Sequence, residues 1–142
     1  MNELLEGILL MMEKQMKEAN VKVVTRLEPE IPGIMASTNQ MRQVILNLFK
    51  NAKEAMPRGG TLTVRTEKED TKVLIRIQDT GTGIPEELRN KIFEAFFTTK
   101  KKVKGVGLGL SVCYGIIKDH GGEIRVDSKE GKGTTFTISL PI

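Results

Sequence analysis

The sequence predicts an α+β fold: a two-layer α/β sandwich in which one mixed, mostly antiparallel sheet carries helices on one face. Three patterns carry that expectation. Apolar residues recur three and four apart in several stretches, as in half-buried helices. Between them lie short runs that alternate residue by residue, as in strands with one buried face. Late in the chain two such runs are joined by a short glycine-bearing turn, which makes an antiparallel pair. The 142 residues, 39% hydrophobic, suit a single domain spanning 1–142 around one core.

Residues 3–19 read as the first helix, with Leu4, Ile8, Met11, Met12 and Met16 as apolar positions. "VKVVTRLE" (21–28) alternates as a strand, which Pro29 and Pro32 end. A second helix starts from a cap at Thr38 or Asn39 and runs to about Met56, where "PRGG" (57–60) stops it. "TLTVRTE" (61–67) and "KVLIRIQD" (72–79) form a hairpin around residues 68–71. Pro85 opens a third helix, with Glu86 and Glu87 in its first turn, reaching to about Phe97. Residues 98–106 lack periodicity and read as a charged loop. "GLGLSVCYGIIKDH" (107–120) is a fourth helix ended by Gly121 and Gly122. "GEIRVDS" (122–128) and "TTFTISL" (134–140) are the closing strands, joined through residues 129–133.

Composition removes several function classes. "ILLMM" (8–12) is too short to span a bilayer, and a start carrying Glu3 and Glu6 without a basic leader does not read as a signal peptide. A single cysteine, Cys113, rules out a disulfide framework and a cysteine-based zinc site, and its apolar helical setting reads as core. The net charge of +4 permits a polyanionic partner. Yet the basic residues gather mainly at 100–104 and aromatics are only 4%, which argues against a nucleic-acid platform.

Three constellations point to chemistry. On the second helix Met41, Val44, Ile45, Leu48, Ala52, Ala55 and Met56 form an apolar stripe, while Gln43, Asn47, Asn51 and Glu54 line its edge. Asn47 and Asn51 lie one turn apart at that border, although asparagine is a poor helix former. The pair fits two half-exposed polar residues as well as it fits amide oxygens ligating Mg²⁺ beside phosphates. The second constellation is "DTGTGIP" (79–85), where alternation puts Asp79 on the face of Val73, Ile75 and Ile77. A carboxylate on a buried face needs a partner, and none with positive charge lies nearby in sequence. It can accept a hydrogen bond from an exocyclic amino group such as that of adenine. Gly81 and Gly83 permit either a tight turn or close approach to a ligand. The third is "GVGLGL" (105–110), whose glycines ahead of a helix fit either a linker or an anion-binding helix start, with Lys100, Lys101, Lys102 and Lys104 just upstream.

Together these stretches resemble the catalytic ATP-binding domain of bacterial sensor histidine kinases. That domain belongs to the GHKL superfamily, with gyrase-type topoisomerases, large heat-shock chaperone ATPases and MutL mismatch-repair proteins. "QVILNLFKNAKEAM" looks like the N box, "DTGTGIP" the first glycine box and "IFEAFFTTK" the phenylalanine box. "GVGLGLSV" looks like the second glycine box and "GKGTTFTISLP" the closing segment. Each motif is weak alone; their order across nearly the whole chain makes the match specific. The wording "FFTTK…GLGLSV" is most similar to nitrogen-regulation and sporulation kinases.

The resemblance implies a Bergerat-type fold, ATP with Mg²⁺, and transfer of the γ-phosphate to a histidine on a separate dimerisation domain. Asp79 looks like the adenine-reading carboxylate, Thr134 its helper on the inward face of a strand with Phe136 and Ile138, and Asn51 the metal ligand. Gly81, Gly83, Ile84, Phe93, Gly105, Gly107, Leu108, Gly109 and Leu110 would border the nucleotide. Residues 98–106 would be a mobile lid, with Lys100 contacting phosphate and Phe93 and Phe96 packing at its hinge. Asn47 is the residue that separates branches: hydrolytic relatives and anti-sigma serine kinases carry Glu there as a base. A histidine acceptor already has a nucleophilic nitrogen, so the asparagine favours a histidine kinase. Glu54 stands where many relatives carry Lys, and Ser37 and Thr38 replace an Asp that often opens the N-box helix.

His120, in "KDHGG" at a helix end, reads as a structural cap and not as the phosphoacceptor. The acceptor hairpin is expected outside this chain, so the chain reads as an excised catalytic domain. The implied partners are that hairpin and, downstream, a response regulator, with the isolated domain a monomer in the cytoplasm. Two rival readings stand beside this one: a GHKL ATPase, separable by steady-state turnover, and a nucleotide-sensing module without phosphotransfer.

Overall fold

The computed structural model describes residues 1–89, 91–92 and 109–142. Its regular elements are α1 (Asn2–Glu18), β1 (Val21–Leu27), α2 (Thr38–Glu54), β2 (Gly60–Glu69) and β3 (Lys72–Asp79), then α3 (Gly109–Asp119), β4 (Glu123–Lys129) and β5 (Gly133–Pro141). The five strands make one sheet in the order β1-β2-β3-β5-β4. Only β1 and β2 are parallel; α2 provides the crossover that parallel neighbours need. The helices cover one face, α1 against β1, α2 against β3 and α3 against β4, with α2 in the middle of the layer. The expected α+β sandwich is therefore the observed one.

Local chemistry explains the boundaries. Ser37 is the N-cap of α2, its Oγ accepting from the Gln40 N–H at 3.3 Å, one residue ahead of the positions expected. Asp70 supports the two-residue β2–β3 turn in a left-handed conformation (φ 54°) that Asp tolerates. His120 uses both ring nitrogens. Nδ1 lies 2.7 Å from the Ile116 carbonyl and Nε2 accepts from the Ser37 N–H at 3.1 Å, so the imidazole joins the end of α3 to the start of α2.

Two expectations need correction. Met11 is 60% exposed; the buried stripe of α1 is Leu5, Ile8, Met12 and Met16, a cleaner three-and-four spacing. The third helix is a single 3₁₀ turn, Glu86–Leu88, in the described part of its range. Pro85 precedes that turn with an extended ψ of 141°, because residues 83–85 are held against β4.

Candidate active site

Asp79 ends β3 opposite Thr134 of β5, and both are only 5% exposed on the helix-facing side with Ile77, Phe136 and Ile138. No basic side chain pairs with the carboxylate among the described residues. Its Oδ1 instead accepts from the Gly81 N–H at 2.9 Å, two residues on. Burial raises the Asp79 carboxyl above its ordinary range, and the N–H groups of Gly81 and Thr134 only partly oppose this.

The two glycines after Asp79 fit the chain against itself. A Cβ on Gly81 would lie 2.2 Å from the Ala55 carbonyl oxygen, which also accepts from the Thr82 N–H at 2.9 Å. A Cβ on Gly83 would lie 2.2 Å from the Lys129 carbonyl oxygen, and φ there is +72°. The loop is thus clamped between the end of α2 and the β4–β5 turn, a reason for glycine that its sequence context did not reveal. Gly83→Ala combines a forbidden φ with a backbone clash and is expected to cost about 1–3 kcal/mol. Urea denaturation checks this; an unchanged midpoint would mean the loop relaxes freely.

Asn47, Asn51 and Ala55 follow at four-residue intervals along α2, so they mark one edge about 12 Å long. The clamped loop touches the Ala55 end. At the other end Gly109, the first residue of α3, has its would-be Cβ 4.0 Å from Asn47 Cγ. Asn47 Nδ2 also lies 3.7 Å from Cys113 Sγ, whose thiol burial pushes up to about 11. Asn47 and Asn51 are both half-buried, as their place beside the apolar stripe requires. The Asn51 amide makes no side-chain hydrogen bond among the described residues.

A family model for histidine kinase-, DNA gyrase B- and HSP90-like ATPases matches residues 36–142. The chain belongs to this family. In the histidine kinase-like ATPase domain, then, the structure places Asn47 and Asn51 on α2, Asp79 at the end of β3 with Gly81, Gly83 and Ile84 in the loop after it, Thr134 opposite Asp79 on β5, and Gly109 and Leu110 at the start of α3. Phe93, Lys100, Gly105, Gly107, Leu108 and the expected lid at 98–106 lie outside the described residues. Sporulation kinase C of Bacillus subtilis is 37% identical over all of the chain, which spans 33% of that protein's length. The nucleotide-free catalytic domain of histidine kinase ThkA superposes with a TM-score of 0.88 at 37% identity, covering 99% of this chain and 91% of that one. ThkA is also known in complex with the response regulator TrrA. Full-length ShkA in complex with AMPPNP gives a TM-score of 0.88 at 28% identity, covering 98% of this chain and 29% of that one.

One site residue escaped sequence reading. Ser128 Oγ accepts from the Ile84 N–H at 2.7 Å and lies 2.8 Å from Thr134 Oγ1 and 3.0 Å from the Gly133 carbonyl. Its signal was available: alternation puts Ser128 on the inward face with Ile124 and Val126, a polar residue where apolar ones belong. A depression of about 310 Å³ also opens near this end of the sheet. Asp79, Ser128 and Thr134 line it together with Gln78, Asp127 and Thr135, so residues of both alternations border it where the strands end.

Proposed function

We propose that this domain binds Mg-ATP and transfers the γ-phosphate to a histidine on the dimerisation domain of a two-component sensor kinase. The observation that carries the reading is Asp79, a buried carboxylate met among the described residues by the backbone N–H groups of Gly81 and Thr134 and by no basic side chain, at the mouth of a glycine loop in a chain of this family. An adenine amino group would give that carboxylate a further donor, from the ligand side. From Asp79 the edge of α2 leads past Asn51 to Asn47 and the start of α3, an order that suits adenine at one end and phosphates at the other.

Among the described residues no three His, Cys, Asp or Glu side chains come together as metal ligands. A cation here would take the Asn51 oxygen, phosphate oxygens and water, the donor set Mg²⁺ prefers. When bound, Mg²⁺ would supply charge neutralisation on the phosphates. Asn47 would contact the reacting end without acting as a base, leaving the acceptor nitrogen to attack phosphorus directly while ADP leaves. ShkA with AMPPNP supports nucleotide binding, and ThkA with TrrA supports a response regulator downstream. Among the described residues no helix is long and apolar enough to cross a membrane.

Mixing the domain with its cognate histidine hairpin and γ-labelled ATP should give acid-labile phosphate on the hairpin. Free phosphate alone would favour the ATPase reading, and bound, uncleaved ATP the sensing module. Trypsin tests the proposed phosphate contact of Lys100. Cleavage at 100–104 should be slowed by a non-hydrolysable ATP analogue, and an unchanged rate with the analogue bound would remove Lys100 from the site.

A further inference from the structure

Asp79, Thr134 and Ser128 stand in a row across β3, β5 and β4, all on the helix-facing side. Ser128 Oγ has three partners within 3.0 Å, and a serine hydroxyl offers one proton and two lone pairs. The Ile84 N–H can only donate, and the Gly133 carbonyl can only accept. One assignment satisfies all three contacts: Ser128 donates to Gly133, accepts from Ile84, and takes its second acceptor bond from the Thr134 hydroxyl. The one proton of Thr134 is then committed toward β4.

We infer that Ser128 sets the hydrogen-bonding polarity of Thr134, making the Asp79–Thr134 floor acceptor-only and so favouring a 6-aminopurine over a 6-oxopurine. Ser128 is a positioning residue, acting on the ligand through Thr134, and the inference rests on the adenine reading of Asp79. With both floor groups presenting lone pairs, an amino group or a water can donate to them. A carbonyl oxygen at the same place meets only acceptors and loses its hydration without compensation. Removing the Ser128 hydroxyl frees the Thr134 proton to rotate and donate to that carbonyl. It also strands the Ile84 N–H, a loss that falls equally on every nucleotide. The ratio of affinities therefore separates the polarity effect from loss of loop anchoring.

The test is competition of ATP and ITP for the wild-type domain, Ser128→Ala and Ser128→Thr, with thermal melts alongside. Wild type should prefer ATP. Ser128→Ala should narrow that preference by about threefold to tenfold, the worth of one hydrogen bond. Ser128→Thr, which keeps the hydroxyl, should retain the preference. Should the alanine variant fail to fold, Ser128→Cys keeps the volume with a weaker donor and acceptor, and should narrow the preference less. Equal weakening of ATP and ITP, with an unchanged ratio, overturns the inference and leaves the adenine site standing. A wild-type domain that binds no ATP overturns both.

Discussion

Asp79→Asn should abolish measurable ATP binding while leaving the folded domain as stable as before, or more so. The two effects have opposite signs because one carboxylate serves them differently. Toward ligand, a hydrogen bond to a buried charged acceptor is worth about 1.5–3 kcal/mol, and the amide also turns a donor toward the adenine amino group. The combined loss should exceed about a hundredfold. Toward the fold, burial raises the Asp79 carboxyl, so the ionised form is disfavoured in the native state. The native state then holds the proton more tightly than the unfolded chain does. Asp79's contribution to stability is fullest in acid, and it falls as pH rises from the ordinary carboxylate value through the raised one. At neutral pH the variant escapes that cost and keeps an oxygen to accept the Gly81 N–H. Its melting temperature should match or exceed wild type at neutral pH, and the advantage should vanish in acid. Calorimetry showing near-wild-type ATP affinity in Asp79→Asn would end the adenine assignment.

Asn51→Ala should weaken Mg-ATP by about 10–100-fold, a loss typical of removing a supporting contact at a metal site. Metal-free ATP should bind the variant nearly as well as it binds wild type. The side chain is half-buried at the edge of α2, with Leu48 and Ala52 in the core beside it, so truncation removes little packing. Titrating each protein with ATP in the presence of Mg²⁺ and of EDTA separates the two contributions. Equal losses with and without the ion would make Asn51 a nucleotide or packing contact and leave the cation without a protein ligand.

Much of the fold was legible because periodicity survives folding wherever one face is buried. The stretch 72–79 announced its buried face, and Val73, Ile75, Ile77 and Asp79 all occupy it. The edge stripe of α2 was legible for the same reason, since helical spacing alone places Asn47 and Asn51 beside the core. Short or irregular segments were harder to read. Residues 85–89 carry acidic residues after a proline, a good helix start, yet the tie from Ile84 to Ser128 keeps Pro85 extended. Met11 and Leu5 are both apolar on one helix, and only the packed partner decides which of them is buried.

The sequence by itself determined the strand and helix faces, the buried position of Asp79 and, through the order of its motifs, the family. Tertiary structure alone decided what those residues touch. The clamp of Gly81 and Gly83 on the Ala55 and Lys129 carbonyls brings together segments more than 25 residues apart in the chain. The Ser128 hydroxyl depends on a hairpin register and a loop meeting at one atom. Such contacts leave no periodic trace, because each is a single atom-to-atom meeting set by packing and not by a repeat along the chain.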